Sequence, residues 1–360
     1  MGGDGMSDVP LRFPEIEVSG SPRQMGQQIG EATRDQIREF VAVALERVNL
    51  TVAISKERAD AIAHASLGYA DSYSTEMVEE LRGTAQAAGV SIEDLMLLQV
   101  RNQFSVQTDA GCTAFAVSAS KDGSRPSLLA QNWDNDPALD PFTVVLTRRP
   151  QGKPALINVT QAGLIAYIGL NERGIGACLN TLPAPSRPIG VPHYFTLRGI
   201  YGASGLDDAI AAVQTAHRAV PANILLSTPQ GPADLEVTID EVHVLRDDDA
   251  GCLTHTNHCL HRDLISINEQ FDELIESGPR KKRIDQQLNA SQRSLNVQRA
   301  QELLSDHDGY PHSICRHAND HPQHGFWETV MSVVIAPASC EMHIARGNPC
   351  CRPFEVYRLN

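Results

Sequence analysis

The sequence predicts a single α+β domain in which helices stack on antiparallel sheets. Two observations carry this expectation. The first hundred residues show helical periodicity almost throughout, and at Gly111 the pattern switches to short runs rich in Val, Ile, Leu, Thr and aromatics. The later elements then alternate between strands and helices without a repeat, a low-complexity linker or a loop long enough to separate two domains. Residues 1–360 are therefore read as one domain.

The elements follow in order. Residues 1–20 read as a polar tail running into a short strand around Leu11–Val18. From Pro22 to about Val48, Met25, Ile29, Ile37, Phe40, Val41 and Ala44 recur at three- and four-residue spacing, which predicts a helix. Further helices are expected over Glu57–Tyr73 and Ser74–Ala88, the latter stopped by Gly89. Ser91-Ile92-Glu93-Asp94 reads as a capping pattern that opens a helix running to about Phe104. CTAFAVSAS, PSLLAQN, FTVVLTR, ALINVTQ, LIAYIGL and GIGACLN read as strands. Asp122-Gly123, Gly152 and Asn171-Glu172-Arg173-Gly174 read as the turns between them. A helix over about Tyr194–Ala219 follows, then strands near Asn223–Thr228, Leu235–Ile239 and Val242–Leu245. A helix over about Ile284–Leu304 and strands at Thr329–Ile335 and Cys340–Ala345 complete the chain.

Composition excludes several function classes. Of 360 residues, 42% are hydrophobic and 21% charged, which allows a sizeable core and argues against disorder. A formal net charge of −14 argues against a nucleic-acid surface or an anionic membrane, both of which need a clustered basic field. The one dense basic run, Arg280-Lys281-Lys282-Arg283, is read as a solvated helix start. No stretch approaches the ~20 apolar residues of a membrane span. The start, MGGDGMSDVPLRFPE, lacks the basic and apolar regions of a secretory signal, and Tyr357-Arg358-Leu359-Asn360 is no peroxisomal tripeptide. A cytoplasmic location is the expectation. The eight cysteines are then expected as thiols rather than a disulfide framework, and Cys350 and Cys351 are given no role.

The helix-to-sheet switch falls on Asp109-Ala110-Gly111-Cys112-Thr113. A glycine before the cysteine offers little steric hindrance, so the Cys112 thiol could attack the Gly111 carbonyl and move the acyl group from nitrogen to sulfur. Water would then release the upstream chain. Cys112 would become a new N-terminus, whose amine (reference pKa about 7.7–8.0) can deprotonate its own thiol. Gly-Cys alone is a weak signal, and a buried strand cysteine is the commoner occurrence. The pair gains weight from Gln131-Asn132-Trp133-Asp134, His255-Thr256-Asn257-His258-Cys259 and Pro311-His312-Ser313-Ile314-Cys315-Arg316-His317 downstream.

Together these residues resemble the acyl-coenzyme A:6-aminopenicillanate acyltransferase (isopenicillin N acyltransferase) family of N-terminal-nucleophile enzymes. GCTAFAV, QNWD, GLNERGIG, RPIGVP, THTNHCL and DHDGYPHSICRH stand in the family's order and at similar spacing over nearly the whole chain. The resemblance implies a four-layer αββα sandwich of antiparallel sheets. It implies a precursor cut between Gly111 and Cys112 into a helical α chain, residues 1–111, and a catalytic β chain, residues 112–360, which stay associated. Cys112 would be the nucleophile. Asp134 would hold its ammonium or thiol, Asn257 would donate to the oxyanion, and Arg316 would sit at the base of the site. Asn180 would fall where related cysteine hydrolases place a second oxyanion contributor. Read without the family, Asp134 and Asn257 could be turn residues, and Arg316 could pair with Asp306 or Asp308.

Two rival chemistries fit the sequence less well. His255, His258, Cys259 and His261, with Cys252, look superficially like metal ligands but lack regular zinc spacing, and strand neighbours point to opposite faces. A papain-like pair of Cys112 or Cys315 with one of the thirteen histidines is disfavoured for Cys112, which starts a strand rather than a helix. No metal, cofactor, nucleic-acid or membrane partner is expected, and a homo-oligomer stays open. The expected reaction is hydrolysis of a small N-acyl amine or peptide-like amide through a Cys112 thioester. The alternatives are acyl-coenzyme A-dependent transfer to an amine and an uncleaved binding protein on the same fold.

Overall fold

A computed structural model describes residues 10–104, 111–246, 251–291, 294–310, 313–322 and 325–360. The tail 1–9, Asp109-Ala110 and Pro311-His312, which enter the sequence expectations above, lie outside the described residues.

The N-terminal third is a strand followed by helices: β1 (Glu15–Gly20), α1 (Pro22–Ala32), α2 (Arg34–Val48), α3 (Lys56–Tyr73), α4 (Thr75–Ala88) and α5 (Ile92–Gln99). Their ends sit on side-chain caps. Ser21 with Gln24 and Ser91 with Asp94 form capping boxes, Ser55 and Ser74 cap α3 and α4, and Gly89, at φ 71°, closes α4 in the left-handed conformation. The single helix expected over Pro22–Val48 breaks at Thr33 (φ −121°, ψ 24°). The break lets α1 lie backbone to backbone on α4 while α2 turns Ile37, Phe40 and Ala44 into the main core. The α1–α4 approach depends on glycines: a Cβ at Gly26 would come 1.9 Å from the Glu80 carbonyl oxygen, and one at Gly83 2.3 Å from that of Arg23. Buried Glu80 also ties α4 to its neighbours, accepting from Arg148 Nε at 2.7 Å and lying 3.5 Å from Arg198 Nη2.

Then come β2 (Gly111–Val117), β3 (Leu128–Asn135), β4 (Thr143–Pro150), β5 (Leu156–Gln161), β6 (Ile168–Asn171) and β7 (Gly176–Thr181). The helix expected over Tyr194–Ala219 is two short ones, α6 (His193–Ile200) and α7 (Leu206–Gln214), divided where Gly202 and Gly205 interrupt the side-chain stripe. The remaining elements are β8 (Ala222–Ser227), β9 (Ala233–Val237), β10 (Val242–Leu245), β11 (Cys252–His255), α8 (Ser277–Ser291), α9 (Val297–Leu304), β12 (Glu328–Ala336), β13 (Glu341–Arg346) and β14 (Phe354–Arg358).

The strands form an eight-stranded sheet, β1-β4-β5-β6-β7-β8-β9-β10, and a six-stranded sheet, β11-β2-β3-β12-β13-β14. The pairings are antiparallel except that β1 runs parallel to β4, a departure from the all-antiparallel expectation. A long crossover through the helices and the other sheet separates these two strands in sequence, which is the condition for parallel pairing. Alternation along β2 and β3 assigns the layers. Cys112, Ala114, Ala116, Leu129 and Trp133 pack inward with Ala177, Leu179, Ile224 and Leu226 of the eight-stranded sheet. Phe115, Val117, Leu128 and Ala130 face outward against Ile284 and Leu288 of α8 and Leu303 and Leu304 of α9. On the far side the eight-stranded sheet is covered by the other helices: the Tyr201 hydroxyl beyond α6 donates to the Tyr167 carbonyl at 2.5 Å, and Gln99 of α5 to that of Gly163 at 2.8 Å. The architecture is helices, sheet, sheet, helices. Among the described residues no helix is long and apolar enough to cross a membrane.

Candidate active site

Gly111 and Cys112 open β2, directly across from Asp134 and Trp133 of β3. Cross-strand partners share a face, so Cys112 and Trp133 point into the space between the sheets while Gly111 and Asp134 lie on the α8 side. The QNWD segment is divided the same way. Gln131 turns inward and donates to the Leu179 carbonyl at 2.7 Å; Asn132 turns outward and donates to the carbonyls of Leu304 and Ile314 at 2.8 and 3.0 Å.

Cys112 is 1% exposed. Its backbone N–H donates to Asn257 Oδ1 at 3.0 Å and its thiol lies 3.7 Å from the Leu179 carbonyl oxygen. Burial pushes the thiol pKa well up from its ordinary value, and the Asp134 charge adds to this; Arg280 and the backbone amides of Thr181 and Asp134 oppose it. Asn257 is fixed on three sides: its N–H donates to Ser277 Oγ at 2.7 Å, its Nδ2 to the Thr181 carbonyl at 2.9 Å, and its Oδ1 also accepts from Arg280 Nη2 at 2.7 Å. The oxygen of this amide, not its NH2, meets Cys112. One Nδ2 hydrogen is committed to Thr181.

Asp134 is wholly buried. Its Oδ1 accepts from the Thr329 hydroxyl at 2.7 Å, while Oδ2 has no hydrogen-bond partner among the described residues and would lie 3.0 Å from a Cβ placed on Gly111. A side chain at position 111 would crowd that carboxylate and Ile275, so glycine gives the closest fit there. Burial raises the Asp134 pKa, and Arg280, Thr329 and Arg316 pull it down. Arg316 acts from one residue further out. Its N–H donates to Thr329 Oγ1 at 2.8 Å, its Nε to the Trp327 carbonyl at 3.1 Å, and its Nη1 lies 3.3 Å from Glu276. Asp306 and Asp308, the acids that the sequence offers it, pair with Arg283 instead. Asn180 is buried on β7 with Oδ1 accepting from Gln131 at 2.5 Å, and its Nδ2 is unpartnered among the described residues. The structure thus gathers Cys112, Asn257 and Asp134 around the Gly111–Cys112 bond. It links Arg316 through Thr329 and sets Asn180 in the adjoining sheet.

The sequence reading missed Arg280. Of the basic run expected as a solvated helix start, Arg280 is buried, at 1% exposure, whereas Lys281, Lys282 and Arg283 remain at least partly exposed. Its guanidinium donates to the Cys112 carbonyl, to Thr113 Oγ1 at 3.0 Å and to Asn257 Oδ1, with Nε on the Ile275 carbonyl at 2.8 Å. Ile275 and Glu276, just before α8, have φ of 49° and 48°, uncommon left-handed backbone for non-glycine residues and the kind of strain that collects at functional sites. His255, a superficial metal-ligand candidate in the sequence, is instead held at both ring nitrogens, by Glu236 Oε1 at 2.9 Å and the Thr256 carbonyl at 2.8 Å.

Two stacked antiparallel-rich sheets between helix layers form the four-layer α+β sandwich that the family resemblance implied. The chain belongs to the acyl-coenzyme A:6-aminopenicillanic acid acyl-transferase family, whose sequence model matches residues 119–350. The match takes in Asp134, Asn180, Asn257, Arg280 and Arg316 and begins just after Cys112. The chain is 24% identical over 339 residues, 93% of its length and 92% of the relative's, to the acyl-coenzyme A:6-aminopenicillanic-acid-acyltransferase 40 kDa form of Emericella nidulans. Among solved structures it is similar to a mutant of the conjugated bile acid hydrolase from Clostridium perfringens (12% identity, 69% of this chain and 97% of that one, TM-score 0.43). It is also similar to a penicillin V acylase from Agrobacterium tumefaciens (12% identity, 65% and 83%, TM-score 0.43). Likenesses this distant say nothing about substrate.

Proposed function

We propose that this chain is a precursor that cuts its own Gly111–Cys112 bond and then uses Cys112 as the nucleophile of a small-amide hydrolase. One observation carries the reading: Cys112 is held by Asn257 while the Asp134 oxygen that has no partner among the described residues rests against Gly111. In the first step the thiol adds to the Gly111 carbonyl, its proton passes to the departing nitrogen, and the C–N bond breaks to leave a thioester. Water then releases residues 1–111 with a new carboxylate and frees the Cys112 thiol and amine. Asn257 Oδ1, already on the Cys112 nitrogen, orients that amine as the base for the thiol. Asp134 holds the ammonium form. In turnover the thiolate attacks an acyl amide, the amine leaves with a proton, and water resolves the thioester. Preorganised donors on the developing oxyanion supply roughly 3 kcal/mol each; the second Nδ2 hydrogen of Asn257 and the Nδ2 of Asn180 are the candidates. Because Cys112 is buried in the continuous chain, substrate gains access only after cleavage.

Intact-mass measurement and N-terminal sequencing of the purified protein test the first half. Two chains, 1–111 and 112–360, are expected; a fully active single chain overturns the reading and favours another nucleophile or a binding protein. The family and the Emericella relative's name favour a second outcome for the thioester, transfer between acyl-coenzyme A and an amine. An acyl amide supplied in buffer, with amines and acyl-coenzyme A added separately, separates the two. Free acid as the main product supports hydrolysis. Turnover seen only with acyl-coenzyme A and an amine transfers the reading to the acyltransferase.

A further inference from the structure

Beside the site, two cysteines and a histidine converge. Cys315 and His317 flank Arg316 on the segment entering β12, and Cys350 lies in the turn between β13 and β14. His317 Nε2 is 3.3 Å from Cys350 Sγ and 3.8 Å from Cys315 Sγ, and the three atoms all lie within 4.8 Å of one another. Bonds of ~2.3 Å to sulfur and ~2.05 Å to nitrogen at a tetrahedral ion set sulfur and nitrogen about 3.6 Å apart. The two observed separations bracket that edge. A Cys–His nucleophile pair fits less well, since one nitrogen is shared by two thiols and Cys315 is fully buried.

We propose that Cys315, His317 and Cys350 form a site for a divalent ion of the zinc class, with solvent as the fourth ligand. His317 and Cys350 are half-buried, which leaves one side of the site open to water. Binding releases two thiol protons to solvent as two sulfur–metal bonds form, and the neutral imidazole completes the protein's share. The two thiolates balance the ion's charge. Asn348 supplies an outer contact, with Nδ2 3.7 Å from Cys315 Sγ and 2.7 Å from the Arg316 carbonyl oxygen. The ion clips the Arg316 segment to the β13–β14 turn. That segment also carries the N–H that holds Thr329, and through it Asp134.

The test is a cobalt(II) titration of the reduced full-length protein. A sulfur-to-cobalt charge-transfer band with tetrahedral visible bands is expected, saturating at one equivalent, displaced by zinc, and accompanied by a rise in Tm with zinc. Cys350→Ser and His317→Gln, both at half-buried positions, are expected to lose the charge-transfer band or weaken cobalt binding at least ~10-fold, while Cys340→Ser keeps both. Absence of the band in the reduced wild type overturns the proposal, as does an equal band in both ligand variants. Peptide mapping that finds a Cys315–Cys350 disulfide formed in the presence of zinc also overturns it, and identifies the pair as a redox couple.

Discussion

Arg280 is the residue whose replacement most directly probes how the proposed Gly111–Cys112 cleavage site is held. Two of its hydrogen bonds, to the Cys112 carbonyl and to Asn257 Oδ1, touch the proposed nucleophile and the amide that fixes its nitrogen. Charge-assisted bonds of this kind contribute at least ~1.5 kcal/mol each, so losing both removes about 3 kcal/mol of positioning. At ~1.4 kcal/mol per tenfold in rate, Arg280→Met is expected to slow appearance of the 1–111 and 112–360 fragments on the order of 100-fold. Arg280→Lys keeps a charge but cannot span both acceptors, and is expected to slow cleavage as well. The two variants separate on pH. The Arg280 charge opposes the upward pull of burial on Asp134. Without that charge the carboxylate stays protonated to higher pH, so the acid limb of the cleavage profile moves up for Met and stays near the wild-type position for Lys. Pulse-labelled synthesis followed by intact mass gives the rates, and melting curves confirm folding. A wild-type cleavage rate and acid limb in folded Arg280→Met would refute the reasoning.

Cys112→Ala is expected to abolish both cleavage and turnover, with Cys112→Ser cutting slowly and Cys178→Ala leaving turnover nearly intact; fragment mass and a product assay check all three. Gly26→Ala places a Cβ 1.9 Å from a backbone oxygen and should destabilise by about 1–3 kcal/mol or more, whereas Gly68→Ala, with nothing among the described residues within 4 Å, should gain up to ~1 kcal/mol of helix propensity. Chemical denaturation compares the two. Burial pushes His255 down, but Asp234 and Glu236 push it up further, so its folded pKa stands above the ordinary value. A raised histidine contributes stability below its unfolded pKa of about 6.5 and loses it as pH rises through the folded value. Asp234, held up to about 6, titrates below that window. Tm is therefore expected to fall above that unfolded value, and His255→Gln should flatten the slope.

Most helix ends are legible because they are written in local chemistry: Ser21 before Pro22, Ser55, Ser74, Gly89 and the Ser91–Asp94 box each satisfy or close a helix end. Hairpin turns are legible for the same reason, with Gly123, Gly152 and Gly174 all in the left-handed region. What escapes depends on tertiary partners. The break at Thr33 follows from the α1–α4 glycine contact, which no local pattern records. β14 is short and forms the edge of its sheet on β13, and its Phe354-Glu355-Val356-Tyr357-Arg358 run follows two cysteines and a proline that mask its start. LIAYIGL reads as one strand, yet only Ile168–Asn171 pairs, because Gly163 turns the chain at φ 89° under α5.

The same division runs through the site. Cys112, Asp134, Asn257 and Arg316 stand out because the segments around them resemble a family, and the structure gathers the first three at one bond with Arg316 one residue behind. Arg280 is misread because its sequence neighbours, Lys281, Lys282 and Arg283, make a basic run, and a basic run is most often a solvated face. The correcting signal is spacing. The sequence reading starts this helix at Ile284, but α8 starts at Ser277, and its buried positions are Ser277, Arg280, Ile284, Leu288 and Ser291. Those numbers are one helical stripe at intervals of three and four. Extending the apolar stripe backwards from Leu288 and Ile284 lands on Arg280, and once more on Ser277, the two α8 residues that grip Asn257. A buried arginine on a core-facing stripe must find acceptors. Those nearest to it are the carbonyl of Cys112, the proposed nucleophile, and the amide oxygen of Asn257 that holds its nitrogen.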